Sequence, residues 1–126
     1  MQEFEKVRQD ATGFKRYFYD DELDLYVWYT HEGGEITGFQ LIYDKSADPR
    51  AFTWIKGKGY RHNRIDGYDS HRYVSLAPIL VADGILDTGT ILELFRMHSG
   101  GVDQNIIDLV EEMIRDYDPS KDDQSV

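Results

Sequence analysis

Leu23 to Tyr43, LDLYVWYTHEGGEITGFQLIY, holds two long runs of β-branched and aromatic residues that meet at Gly33-Gly34. Such runs around a glycine pair predict a β-hairpin, because a two-residue loop needs positive φ and glycine adopts it at little cost. A loop at Gly33-Gly34 fixes the register by counting. Trp28 then faces Phe39, Tyr26 faces Leu41 and Asp24 faces Tyr43 on one side. Tyr29 faces Gly38, Val27 faces Gln40 and Leu25 faces Ile42 on the other, with Tyr29 as an aromatic cover for Gly38.

Both faces of this hairpin are largely apolar, whereas a sheet with one wet face alternates apolar and polar positions. Left open, a face of Tyr26, Trp28, Phe39, Leu41 and Tyr43 would expose on the order of 400–600 Å², the upper range for a monomer. Each face therefore needs a cover, and these five residues form a candidate partner interface.

The rest of the pattern supplies neighbours for the hairpin. Phe14 to Tyr19 is an aromatic strand, and Asp20-Asp21 turns it into the Leu23 run. Ala51 to Lys56 is a further strand, followed by a Gly57-Lys58-Gly59 loop and a more polar run, Tyr60 to Ile65, suited to a sheet edge. Residues 73–85 contain the apolar Ile79-Leu80-Val81, which fits a short strand or an irregular crossing segment. Phe4, Val7 and Ala11 have helical spacing in a short polar segment that fits a helix or a frayed arm.

The period changes towards the C-terminus. Thr90 to Glu93 matches a capping box, opening a helix over about 90–98 that presents Ile91, Leu92, Phe95 and Met97 inward. Ser99-Gly100-Gly101 ends it. Asp103 is placed to cap a second helix over about 104–117, with Ile106, Val110, Met113, Ile114 and Tyr117 on one stripe and Leu109 widening it. Pro119 stops that helix, and residues 118–126 read as a disordered acidic tail. The expected fold is α+β: an antiparallel meander of four or five strands over about 14–65, with two helices on one face, in a single domain of residues 1–117. Which hairpin face the helices cover is not fixed by the pattern.

Composition narrows the functional classes. The 126 residues contain no cysteine, so disulfides and thiolate metal sites are excluded. No run approaches the length of a membrane span, and MQEFEKVRQD lacks the apolar core of a signal peptide, so a cytoplasmic protein is expected. A net charge of −10 argues against general affinity for nucleic acid or anionic membranes. Nine tyrosines suit half-buried sheet faces and interfaces. The layout resembles that of many small single-domain bacterial proteins, and no motif carries a functional residue over.

Three candidate chemistries follow. The first is a non-enzymatic module that self-associates as a homodimer through an apolar sheet face or edge. The second uses the basic segment 56–72, where Lys56, Lys58, Arg61, Arg64 and Arg72 stand against Asp66 and Asp69, with Trp54 and Tyr60 beside them. Phosphate contact plus base stacking would hold nucleic acid or a phosphorylated ligand there. The third is a metal-dependent or acid–base site at His62, Asp66, Asp69 and His71, which are suitable residue types in no defined motif. Asp20, Asp21 and Glu22 read as a solvated turn, while His31 and His98 are isolated. Phosphate-loop, nucleophile-elbow and zinc-protease signatures are absent, and no cofactor is expected.

Overall fold

The structure, a computed structural model, describes residues 1–11, 13–66, 79–82 and 87–117. Among the described residues, seven strands form one sheet: β1 (Gln2–Glu3), β2 (Phe14–Tyr19), β3 (Asp24–Tyr29), β4 (Ile36–Tyr43), β5 (Arg50–Ile55), β6 (Gly59–Asp66) and β7 (Ile79–Ala82). Each pairs antiparallel with its sequence neighbours, so spatial order equals chain order. Two helices follow, α1 (Thr88–His98) and α2 (Gln104–Asp116). This is the expected α+β meander with C-terminal helices, extended by a strand at each edge. The N-terminal segment is neither helix nor frayed arm at its start, because Gln2–Glu3 pairs with Phe18 and Tyr19. Residues Ile79–Ala82 pair with β6, so β6 is interior and not an edge. The proposed tail, residues 118–126, lies outside the described residues.

The register of the central hairpin differs from the two-residue-turn expectation. Thr30 N–H bonds Glu35 O at 2.9 Å, closing a four-residue loop in which Gly33 takes a φ of 78°. One residue further along, a bulge between Trp28 and Tyr29 leaves Thr37 unpaired in the ladder. Loop and bulge together shift the pairing by one residue, giving Leu25 opposite Leu41, Val27 opposite Phe39 and Trp28 opposite Gly38.

A one-residue slip re-sorts every side chain between faces. Here it gathers Leu25, Val27, Phe39 and Leu41 on one side and sends Gln40 to the other. There Gln40 Nε2 donates to Thr53 Oγ1 at 3.0 Å, so no lone amide sits in the aliphatic core.

That aliphatic side is the core. Phe18, Leu25, Val27, Phe39, Leu41, Phe52 and Tyr60 meet Ile91 and Phe95 of α1 and Ile106, Val110 and Ile114 of α2. The four-residue spacing of the α2 residues keeps one stripe on the sheet, and each fully buried aliphatic contributes roughly 1.5–3 kcal/mol. Met97, expected inward, is 74% exposed, because it falls on the outer side of the stripe set by Ile91 and Phe95.

The caps also differ from the pattern. Asp87 is the N-cap of α1, accepting from Thr90 N at 3.3 Å and from the Thr90 hydroxyl at 2.9 Å. Thr90 thus sits inside the first turn. Asp103 is the N-cap of α2, but its carboxylate accepts from Arg16 Nη1 at 2.8 Å instead of capping. Among the described residues no helix is long and apolar enough to cross a membrane.

Candidate functional site

Both helices pack on one side of the sheet. The strand register places Lys15, Tyr17 and Tyr19 of β2, Asp24, Tyr26 and Trp28 of β3, Gly38, Gln40 and Ile42 of β4, Ala51, Thr53 and Ile55 of β5, and Arg61, Asn63 and Ile65 of β6 on the other. Strand side chains alternate, so this set is fixed once the helix-side residues are buried. Tyr19, Tyr26, Trp28, Gln40, Ile55 and Arg61 remain partly exposed there.

The aromatic members are held together. Tyr17 stacks on Tyr26 at 4.7 Å and on Tyr19 at 5.4 Å, with interplanar angles under 20°. Phe4 closes on the same group, 6.1 Å from Tyr17, because its amide bonds Tyr17 O just beyond β1. Offset stacking at these separations stabilises each pair by about 0.5–1.5 kcal/mol beyond burial. Gly38 leaves no room in this face for a side chain of its own: a Cβ there would stand 2.8 Å from Ile55 Cδ1 and 2.6 Å from Trp54 O. The expected cover by Tyr29 is therefore replaced by Ile55, and Tyr29 lies on the helix side.

A buried polar group anchors one end of the array. Asp24 is fully buried, accepts the Tyr17 hydroxyl at 2.7 Å and pairs with Lys45 Nζ at 3.0 Å. Burial pushes the Asp24 carboxyl above its ordinary range, and the Tyr17 and Lys45 bonds pull it only part of the way back. Lys45 also donates to Asp20 O at 2.7 Å. The Asp20 side chain accepts from Glu22 N and Leu23 N through Oδ1 and meets His98 Nδ1 through Oδ2 at 2.7 Å. Burial opposes the charged form of Asp20, yet the two amides and the His98 ring outweigh it and hold the carboxyl below the usual range. His98 Nε2 lies 3.3 Å from Glu22. The β2–β3 turn, read from sequence as solvated, is thus a tie between the sheet and the end of α1.

The five residues proposed as one interface fall on two faces. Tyr26 and Trp28 are on the helix-free side. Phe39 and Leu41 are fully buried under the helices, and Tyr43 stands on the helix side with its hydroxyl 2.5 Å from His62 Nε2.

The basic segment is likewise divided. Arg61 faces the helix-free side, Arg64 the helix side, and Lys58 is exposed in the β5–β6 turn. Lys56 pairs with Glu35. Tyr60 is 3% exposed and donates to Asp116 at 2.9 Å, so it offers no surface for stacking. Trp54 and Lys56 do come together. With Tyr29, Ile36, Asn105 and Leu109 they line an open groove of about 480 Å³ between the sheet and the first turns of α2. Arg72, Asp69, His71 and the Asp66 side chain lie outside the described residues. His62 is 5% exposed, and among the described residues no group of three or more His, Asp or Glu side chains is placed to hold a metal ion.

Tyr17, Tyr19, Asp24 and Lys45 carry no motif. The signal available for them was parity alone: Lys15, Tyr17 and Tyr19 alternate with Phe14, Arg16 and Phe18 in FKRYFY. Compared with protein-family models, curated proteins and solved structures, the chain matches none.

Proposed function

We propose that the chain is a non-enzymatic interaction module that forms a homodimer through the helix-free face of its sheet. The observation that carries this is the content of that face: Tyr19, Tyr26, Trp28 and Arg61 at the surface, on a stacked aromatic base. Tyrosine, tryptophan and arginine are the residue types that dominate binding energy at interfaces.

Two arguments favour a second copy as the occupant. The first is charge. Each copy carries −10, so approach is opposed by self-repulsion except where carboxylates are absent. Among the described residues, Asp24 is the one carboxylate at a register position on this face, and it is buried against Lys45. The second is area. Ile42, Ala51 and Ile65 on this side form a cluster already buried in the monomer, so the open part centres on Tyr19, Tyr26 and Trp28. Strands spaced about 4.8 Å apart and about 20 Å long give β2 to β4 a projected face of roughly 300 Å², the scale of a small interface populated at micromolar concentration.

Sedimentation equilibrium at micromolar concentration tests the proposal. The expected result is a concentration-dependent rise above the 14.7 kDa monomer mass, reversed by Trp28→Glu. A monomer at all concentrations that binds no hydrophobic dye overturns it. So does a dimer that Trp28→Glu and Tyr26→Glu both leave intact.

A further inference from the structure

The outer edge of β2 is closed in two different ways. In an antiparallel ladder the outward backbone groups belong to alternate residues, here Lys15, Tyr17 and Tyr19. Among the described residues β1 is the terminal strand of the sheet on this side, and it spans two residues. It covers the later part of β2: Gln2 pairs with Tyr19, and the Phe4 amide donates to Tyr17 O at 2.8 Å. Lys15 is met by a side chain instead. Its N–H donates to Gln9 Oε1 at 2.8 Å, and its carbonyl accepts from Gln9 Nε2 at 2.7 Å. A side-chain amide that takes both backbone bonds of one residue stands in for a residue of a neighbouring strand. The chain returns to β2 through an Asp10–Gly13 bridge, and Gly13 passes so close to β3 that a Cβ there would stand 2.7 Å from Tyr29 O.

We propose that Gln9 is a plug against strand addition, which keeps the β2 edge from pairing with β2 of a second copy of this chain. FKRYFY suits such pairing: it has four aromatics and no proline, glycine or carboxylate, and an open edge of that composition is a template for another chain. Because β1 already blocks Tyr17 to Tyr19, two copies can meet only around Lys15, with the two-fold axis close to it. That sets Lys15 opposite Lys15, with Cβ atoms about 5 Å apart and like charges opposed. Lys15 forms no ion pair among the described residues, so nothing there neutralises it. A cation at that point repels another copy of the same strand and attracts an acidic one, which marks self-pairing as the contact the edge is built against. Gln9 and Lys15 thus oppose the same contact, one by occupying the backbone groups and the other by charge. The edge and the helix-free face are separate surfaces, so this closure stands whether or not the face dimerises.

The test uses the full chain carrying Trp28→Glu, so that association at the edge is read apart from association through the face. Against that background, Gln9→Ala is expected to raise amide hydrogen exchange at Lys15 at least tenfold while Val27, in the interior strand β3, keeps its protection. In sedimentation velocity the same variant forms species heavier than those of Trp28→Glu alone. Adding Lys15→Val to Gln9→Ala strengthens that association at least tenfold, whereas Lys15→Val with Gln9 in place has no effect on mass. Unchanged exchange at Lys15 in Gln9→Ala overturns the proposal. So does a Gln9→Ala chain whose mass stays that of Trp28→Glu alone, with or without Lys15→Val. Association that Lys15→Val fails to strengthen also overturns it, as does association accompanied by equal loss of protection at Val27, which would mark global unfolding.

Discussion

Lys45 reaches from the β4–β5 loop to within 3.0 Å of Asp24, whose Oδ1 already accepts the Tyr17 hydroxyl. Both charged groups are nearly or fully out of solvent, with side-chain exposures of 9% and 0%. Removing one partner of a buried pair leaves an uncompensated charge and costs about 3–5 kcal/mol.

Lys45→Met is therefore expected to lower stability by about that amount near pH 8. The carboxyl of Asp24 titrates above its ordinary range in the folded state. Its contribution is full below the unfolded carboxylate pKa and is lost as pH rises through the raised folded value. At acid pH the carboxyl is protonated in both proteins and there is no ion pair to lose, so the difference shrinks. Urea midpoints at pH 8 and pH 4 check this; a penalty larger at pH 4 contradicts it.

Asp20 has the opposite sign. Its folded pKa is held below the ordinary value, so its contribution is present above the unfolded carboxylate pKa and lost as pH falls through the folded one. Asp20→Asn weakens the bonds to Glu22 N, Leu23 N and His98. It is expected to cost about 1–2 kcal/mol at pH 6, on the scale of a lost capping carboxylate. The variant and the parent should converge in thermal midpoint as pH falls below the ordinary carboxylate range and the parent carboxyl protonates.

Much of the fold is legible in the residues because the periods are clean. FKRYFY and ITGFQLIY can be little but strand, and Ile106, Val110 and Ile114 mark one face of a helix. The misplaced elements are those where two local devices compete. Gly33-Gly34 suits a two-residue loop, but Phe39 and Leu41 bury with Leu25 and Val27 only if the loop is longer and a bulge follows. Asp87 and Thr90 are both competent caps, and the distinction rests on backbone direction that spacing does not encode. The candidate site was half visible. Tyr26 and Trp28 stand out by size, but Asp24 and Lys45 lie 21 positions apart and meet only after β4 folds back.

Gly38 carries the next expectation. An alanine Cβ at that position would stand 2.6 Å from Trp54 O, a backbone atom of the neighbouring strand that cannot turn aside, as well as 2.8 Å from Ile55 Cδ1. Overpacking of this kind costs about 1–3 kcal/mol. Gly38→Ala should lower the urea midpoint accordingly without changing the slope of the transition. An unchanged midpoint would mean that β4 and β5 are further apart than the register requires.

Phe39 and Trp28 separate the two faces most sharply. A two-residue turn would set them opposite one another on one surface, where truncating either would have similar consequences. In the shifted register Phe39 is fully buried against Phe52 at 5.9 Å, beneath the helices, while Trp28 is partly exposed on the other side. Phe39→Ala is expected to cost about 3–5 kcal/mol of folding stability, the range for an aromatic removed from a packed core. At concentrations where it remains folded, its association should match that of the parent. Trp28→Ala should cost about 1 kcal/mol, in the ordinary range for a partly exposed position. It should weaken self-association at least tenfold, because a tryptophan at the centre of an interface commonly contributes 2 kcal/mol or more. Chemical denaturation and sedimentation equilibrium on the same two variants measure both quantities. If Phe39→Ala weakens association as much as Trp28→Ala does, without destabilising the fold, the two side chains share a surface and the register is wrong.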